Sequence, residues 1–214
     1  FIGNYAQSNG TGSYSNAYGG AIYNYAYTGT ATIGDITGDF IGNYTQSISR
    51  YASGGAIYNQ GTIEDITGDF IGNYAQSTSK YAEGGAIYNY ADNSTATIRD
   101  ITGDFIGNYA QSNGTSSFSK ARGGAIYNYG YKGTATIGDI TGDFIGNYAK
   151  GSSDVSGGAI YNYAISSNAT ATIGDITGDF IGNYAQSDSY YAYGGAIYND
   201  AYNGTATIGN ITGD

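Results

Sequence analysis

The chain contains no cysteine, proline, methionine, tryptophan or histidine among its 214 residues. Leucine is also absent, and Val155 is the single valine. Histidine and cysteine are the side chains most used as general base and thiol nucleophile near neutral pH, so their absence argues against common hydrolytic mechanisms. Without cysteine, no disulfide forms and the redox compartment cannot be inferred. An aliphatic core must therefore consist of isoleucine and alanine.

Basic residues are few. The chain has seven lysines and arginines and 17 acidic residues, which gives a net charge of −10. This balance argues against nucleic acid and against anionic membrane surfaces as partners. No apolar run approaches the length of a membrane span, so we expect no membrane insertion of this segment. The first residue is Phe1 and no signal peptide is recognisable, so we expect a mature product or an excerpt of a longer protein.

Glycine (37) and tyrosine (26) are abundant, and both recur at fixed positions of a tandem repeat. Each repeat opens on FIGNY, passes through a variable stretch to GGAIYN, and closes after a second variable stretch on TI-x-[DN]-ITGD. Insertions fall only in the variable stretches, which is typical of loops between fixed elements. The predicted repeats are 1–39, 40–69, 70–104, 105–143, 144–179 and 180–214.

The placement of isoleucine predicts strands. Four positions in each repeat hold 24 of the 26 isoleucines, and isoleucine is stiff at Cβ and favours strands. We predict three strands a repeat, FIGNY, GGAIYN and ATIGDI, with the four isoleucines in the core. A unit of about 30 residues with three short strands matches one coil of a parallel β-helix. The sequence therefore predicts an all-β solenoid in one domain, with six coils of 30–39 residues.

Stacked coils place equivalent residues in columns. In the first GGAIYN, Ile22 and Asn24 share one parity and are expected to face inward, with Ala21 and Tyr23 outward. Inward asparagines can pass amide hydrogen bonds from coil to coil. The alternation leaves open on which side Phe1 and Phe40 lie. The predicted core ladder comprises Ile22, Ile57, Ile87, Ile126, Ile160 and Ile197 together with Ile36, Ile66, Ile101, Ile140, Ile176 and Ile211, and the asparagine ladder comprises Asn24, Asn59, Asn89, Asn128, Asn162 and Asn199.

Eleven of the 17 acidic residues lie in two columns of the D-I-T-G-D segment. Like charges about 4.8 Å apart repel by roughly 1 kcal/mol in water. Either each aspartate caps a turn by accepting backbone N–H groups, or Ca²⁺ bridges the columns. No cofactor is required on the first interpretation. The first column is Asp35, Asp65, Asp100, Asp139 and Asp175, closed by Asn210. The second column is Asp39, Asp69, Asp104, Asp143, Asp179 and Asp214. The first five members of each column form the candidate calcium ladder.

A catalytic function is not expected. Paired carboxylates such as Asp35 and Asp39 can hydrolyse glycosides, but these recur in every repeat, whereas a catalytic site normally breaks a repeat. The acidic residues outside the repeat, Glu83 among them, form no motif. We therefore predict a protein that is not an enzyme.

Two tyrosine columns and the variable loops remain as binding surfaces. The tyrosines after FIGN and within GGAIYN either stabilise the coil wall by stacking or form a lateral contact surface or a platform for sugar rings. The loops hold most of the sequence diversity, so specific binding is expected there. Candidate N-glycosylation sites, in a source that has the machinery, are Asn9, Asn93, Asn113, Asn168 and Asn203.

The pairing of GGAI, as at 54–57, with FIGN, as at 70–73, resembles the tandem signature of the chlamydial polymorphic membrane proteins. The pair recurs six times and covers essentially the whole chain. The resemblance implies a right-handed β-helix passenger that is secreted by the autotransporter route and acts as a self-associating surface adhesin. It places the chain outside the cell or on a bacterial surface.

These features together predict a non-enzymatic extracellular structural protein that forms or belongs to a filament or surface stalk. In the repeat, FIGN directly follows ITGD. The sequence starts with FIGN at 1–4 and closes with ITGD at 211–214, so copies are expected to associate end to end or laterally. The alternative is an autotransporter-like adhesin passenger that binds a host receptor or glycan through its variable loops. No nucleic acid partner is expected.

Overall fold

The computed structural model describes residues 1–12, 14–26 and 28–213. Within these residues the chain forms 35 strands of two to six residues and no helix. No helix in this part of the chain is therefore long and apolar enough to cross a membrane. Equivalent strands of successive coils pair in parallel and in register, as Ile57 does with Ile22 on one side and Ile87 on the other. The predicted all-β solenoid of about six stacked coils is confirmed.

The strands form six sheets, which we number in the order in which a coil meets them. Sheet 1 contains Phe40–Ile41, Phe70–Ile71, Phe105–Ile106, Phe144–Ile145 and Phe180–Ile181. Sheet 2 contains Tyr5–Ser8, Tyr44–Ser47, Tyr74–Ser77, Tyr109–Ser112, Tyr148–Gly151 and Tyr184–Ser187. Sheet 3 contains Ala17–Tyr18, Tyr51–Ser53, Tyr81–Glu83, Lys120–Arg122, Val155–Ser156 and Ala192–Tyr193.

The other three sheets come from GGAIYN and from the closing segment of each repeat. Sheet 4 contains Ile22–Tyr25, Ile57–Gln60, Ile87–Asp92, Ile126–Tyr131, Ile160–Ile165 and Ile197–Tyr202. Sheet 5 contains Thr32–Ile33, Thr62–Ile63, Thr95–Ile98, Thr134–Ile137, Thr170–Ile173 and Thr205–Ile208. Sheet 6 contains Ile36–Thr37, Ile66–Thr67, Ile101–Thr102, Ile140–Thr141, Ile176–Thr177 and Ile211–Thr212.

A complete coil thus has six short strands, and the prediction of three longer strands was wrong. FIGNY divides between sheets 1 and 2 because Gly42 adopts a left-handed φ of 60° and turns the chain. The predicted strand ATIGDI divides between sheets 5 and 6 at Gly34 and Asp35. Glycine interrupts a pleated strand and forms a corner of the coil.

The core contains a phenylalanine column whose side the alternation left open. Phe40, Phe70, Phe105 and Phe144 are fully buried, and their rings stack with centroids 4.7–4.8 Å apart. The neighbouring Ile41 is only partly buried, so the expectation that all four isoleucines of a repeat enter the core was wrong. The turn at Gly42 lets Phe40 and Asn43 both face inward, which simple alternation does not allow.

The predicted isoleucine ladders line this core. Their interior members are at most 1 % exposed, and Ile36 is 6 % exposed. Ile22 and Ile197 pack against the core but are only partly buried, and Ile211 is 50 % exposed. These three residues belong to the first and last coils, which have a neighbouring coil on one side only.

Candidate functional site

The predicted asparagine ladder is continuous. Each Nδ2 donates to the Oδ1 of the next asparagine along the stack at 2.8 Å, from Asn24 to Asn199. Asn128 also donates to the carbonyl oxygen of Thr172 at 3.0 Å, which ties sheet 4 to sheet 5. Interior members are fully buried, and Asn199 in the last coil is exposed.

A second asparagine ladder was not among the predicted site residues. The asparagine of each FIGN donates from Nδ2 to the next Oδ1 at 2.9–3.0 Å. An asparagine at a fixed place after a glycine in every repeat was the signal for it. Its members are Asn4, Asn43, Asn73, Asn108, Asn147 and Asn183. Two amide ladders therefore fix the register between coils.

The aspartate columns are capped by the backbone of the adjacent coil. The Asp39 Oδ1 accepts the backbone N–H of Asp69 at 3.0 Å, and Asp139 Oδ1 accepts that of Asp175 at 2.8 Å. The expected cap within the same turn is thus replaced by a cap between coils. Asp214 lies outside the described residues. A carboxylate capped in this way gains a hydrogen bond to its charged form, which offsets part of the repulsion along the column.

One cation lies beside the first column. Arg99 donates to Asp65 and is within 3.6 Å of Glu64 and 3.8 Å of Asp35. The hydrogen bond from Arg99 lowers the pKa of the Asp65 carboxyl. Arg99 occupies the place that glycine holds in four other repeats, so a basic side chain reduces the repulsion between aspartates only at this point of the column.

Chelation of calcium is expected to leave the stability unchanged. In residues 1–12, 14–26 and 28–213, no three acidic side chains are grouped to hold a metal ion, and backbone N–H groups already bind the carboxylates. The melting temperature with EDTA should lie within about 2 °C of that with Ca²⁺. A larger rise on adding calcium would support calcium bridges between the columns.

All five candidate glycosylation asparagines are exposed in loops or at strand ends. Two further triplets also match the acceptor pattern, N-Y-T at Asn43 and N-I-T at Asn210. Asn43 is fully buried in the second ladder, so the folded chain cannot accept a sugar there, whereas Asn210 is exposed.

The two tyrosine columns have different surroundings. In sheet 2, Tyr44, Tyr74 and Tyr109 are half-buried on the outer face, and their rings stack 4.8 Å apart. The GGAIYN tyrosines were expected to face outward, and they do lie apart from the isoleucine core. The members in interior coils are nevertheless covered, with Tyr58 at 5 % and Tyr127 at 0 % exposure, whereas Tyr23 in the first coil is 49 % exposed.

Tyrosines of sheets 3 and 4 and a few polar residues line an open cavity of about 300 Å³. We call it the tyrosine groove. Its most buried polar residues are Ser53 and Glu83, at 0 % and 3 % exposure. The lining residues are Tyr18, Tyr51, Ser53, Tyr58, Tyr81, Glu83, Tyr88, Tyr90, Arg122, Tyr129 and Tyr131.

One register position of sheet 3 contributes four residues to the groove and differs from coil to coil. The residues that pair there along sheet 3 are Tyr18, Ser53, Glu83, Arg122, Ser156 and Tyr193. Most other columns repeat a single residue type. Sequence reasoning missed this position, although an acid and a base stand directly before GG in adjacent repeats, at 83 and 122, and this signal could have found it. The variation breaks the repeat at the point where the groove forms.

Glu83 and Arg122 form a buried ion pair. Arg122 Nη1 donates to Glu83 Oε1 at 2.8 Å, and Ser53 Oγ donates to Oε2 at 3.2 Å. Burial raises the pKa of the Glu83 carboxyl, and Arg122 offsets part of that rise. The guanidinium carbon lies 5.3 Å from the ring centroid of Tyr81 and 6.0 Å from that of Tyr127, within cation–π range.

Alkaline pH is expected to unfold the protein cooperatively. Burial raises the pKa of Tyr18 and Tyr109 to about 12, and that of Tyr88 and Tyr127 well above the usual value of 10. The folded state therefore keeps protons that the unfolded state releases above pH 10. Stability is full below that pH and falls by about 1.36 kcal/mol per pH unit for each retained proton as the pH rises.

Phenolate absorbance and circular dichroism, followed together against pH, test this expectation. The buried tyrosines, Tyr88 and Tyr127 among them, should titrate in one late step that coincides with the loss of strand signal. Titration of all of them near pH 10, with the strand signal intact, would contradict it.

No protein-family model matches this chain, and comparisons with curated proteins and with solved structures give no match.

Proposed function

We propose that this chain is a non-enzymatic structural segment of an extracellular filament or surface stalk. The observation that supports it most is the uniform, in-register stacking of coils. Two amide ladders and the phenylalanine stack run along the stack without a change of residue. Six coils at about 4.8 Å extend the rod by about 29 Å. Such a rod is stiff because every layer is tied to the next at the same points.

The outer coils favour continued stacking. Phe1, Ile2 and Ile211 are 48 %, 74 % and 50 % exposed, although their equivalents in interior coils are more buried. Exposed strand edges with unpaired backbone groups recruit further strands. We propose that another coil covers each end, either from a second copy of this chain or from a longer polypeptide. The motif resemblance supports a location outside the cell or on a bacterial surface.

Electron cryo-microscopy of the native material tests the filament. We expect continuous rods with a layer spacing of about 4.8 Å. Discrete particles of about six layers would contradict the filament.

Substitution at an outer coil gives a sharper test of end-to-end stacking. Ile211→Lys places a charge on the exposed apolar end and is expected to abolish rods formed by separate copies. Ile48→Lys is the matched control, since Ile48 is 37 % exposed in a loop on the side of the stack. Rods of Ile211→Lys that match those of the control would exclude this contact between copies.

A second candidate is an adhesin passenger that binds a host receptor or glycan. The tyrosine groove favours it, because its unrepeated polar residues are not needed to continue a rod. Saturable binding by the isolated chain would support this function without bearing on rod formation.

A further inference from the structure

The Glu83–Arg122 ion pair is unusual because its burial costs free energy. A buried ion pair is expensive to desolvate and on its own is weak grounds for stability. At the same register position this chain also uses serine, at Ser53 and Ser156, in coils that stack equally well. The solenoid therefore does not need charges here, and a role in binding explains their presence in the groove.

The lining has the chemistry of a carbohydrate site. Tyrosine rings offer flat apolar faces that fit the C–H face of a pyranose, and their hydroxyls offer polar edges. Ligand sites typically combine such walls with a few convergent polar groups in a cavity of at least about 300 Å³. Arg122 supplies donors, and Glu83, which accepts from Ser53 Oγ on its other oxygen, holds the guanidinium in place. Because the ion pair is neutral overall, the groove favours neither an anion nor a cation.

Arg122 retains unused donors. The guanidinium has five N–H groups, and in the described part of the chain its one side-chain hydrogen bond is to Glu83. The nearby Tyr127 hydroxyl is fully buried and has no hydrogen-bond partner within the described residues. Planar, directional donors beside an aromatic wall fit vicinal ring hydroxyls.

We propose that the tyrosine groove binds a neutral pyranose chain along the solenoid axis. The lining runs from Tyr18 in the first coil to Tyr131 in the fourth, three layer steps or about 14 Å. That length accommodates a short oligosaccharide. The proposal rests on the binding function above and moves the recognition surface from the variable loops to the groove.

Isothermal titration calorimetry with neutral hexasaccharides tests the site. The probes are cellohexaose, maltohexaose and N-acetylchitohexaose, with the anionic hexamer of galacturonic acid for contrast. We expect saturable binding of at least one neutral probe and at least tenfold weaker binding of the anionic one. Binding of no neutral probe, or tighter binding of the anionic hexamer, would overturn the proposal. So would tighter binding of a polyproline decapeptide than of any neutral saccharide, because a groove of tyrosines also fits that helix.

The variant Glu83→Ser with Arg122→Ser assigns the site. It installs the residue that this chain uses at Ser53 and Ser156, so the fold is expected to persist, as circular dichroism can verify. Binding should weaken at least tenfold. Glu64→Ser with Arg99→Ser is the matched control, since it removes one acid and one base from an exposed pair outside the groove. Equal affinity of the two double variants would sink the proposal.

Two further readouts keep the test decisive. If the groove variant does not fold, Tyr90→Ala in the half-buried wall replaces it and is expected to weaken binding at least tenfold. Electron micrographs of the folded groove variant should show the rods of the native chain. Loss of binding with intact rods separates the glycan site from the structural function, and rods that form without any saccharide binding overturn the glycan site alone.

Discussion

Replacing Gly124 with alanine is expected to lower the free energy of unfolding by more than about 4 kcal/mol. A Cβ on Gly124 would lie 1.9 Å from the carbonyl oxygen of Gly158 and 2.5 Å from the carbonyl carbon of Tyr148. Both atoms belong to the backbone of the next coil. That coil is held in place by the bond from the Gly124 N–H to the Gly157 carbonyl at 3.0 Å, so neither atom can yield without breaking the ladder.

The last coil supplies a matched control. Gly195 holds the same place in GGAIYN, but the nearest atom to its Cβ position is the Asn183 carbonyl oxygen at 3.7 Å. Gly195→Ala is therefore expected to change stability by less than about 0.5 kcal/mol. Urea unfolding of both variants, followed by circular dichroism, measures the difference. Comparable losses of stability in the two variants would show that the second glycine of GGAIYN is needed for the backbone conformation of its own coil and not for the close approach of the next coil.

Asn128→Ala is expected to cost about 3 to 5 kcal/mol. Asn128 is fully buried, donates to Asn162 Oδ1 at 2.8 Å and accepts from Asn89 Nδ2 at 2.8 Å. Alanine leaves the neighbouring amide groups with missing partners in a place that bulk water does not reach. A buried polar group without a partner costs about 1 to 3 kcal/mol, and the ladder loses one on each side of the gap.

Asn199→Ala separates the ladder from the side chain itself. Asn199, in the last coil, is exposed and accepts from Asn162, so water can replace much of what is lost. We expect a cost of about 1 kcal/mol or less from urea unfolding. If Asn128→Ala were as mild as Asn199→Ala, the amide ladder would not stabilise the stack, and the apolar columns alone would hold the coils together.

The columns of isoleucine and asparagine could be predicted because they follow from short-range rules. Ile57 and Asn59 lie two residues apart and therefore share a face of the strand. The six strands of a coil could not be predicted, because a left-handed glycine turns the chain in a way that spacing does not encode. For the same reason Phe70 enters the core and Ile71 is only half-buried.

The aspartate columns show how stacking changes the function of a residue. The sequence predicted a cap within one turn, which is the local role of aspartate before glycine. In the structure the partner of the Asp104 carboxylate is the backbone N–H of Asp143, 39 residues away. A partner at that distance exists only when two coils lie in register.

The sequence by itself determined the repeat, the all-β class and the isoleucine and asparagine columns of GGAIYN, because strand alternation and repeat period are properties of neighbours along the chain. Only the tertiary structure decided that the GGAIYN tyrosines of interior coils are covered and that Ser53, Glu83 and Arg122 meet. These three residues are 30 and 39 positions apart. Parallel stacking brings equivalent positions of successive coils to adjacent strands, and a difference between repeats then becomes a local site.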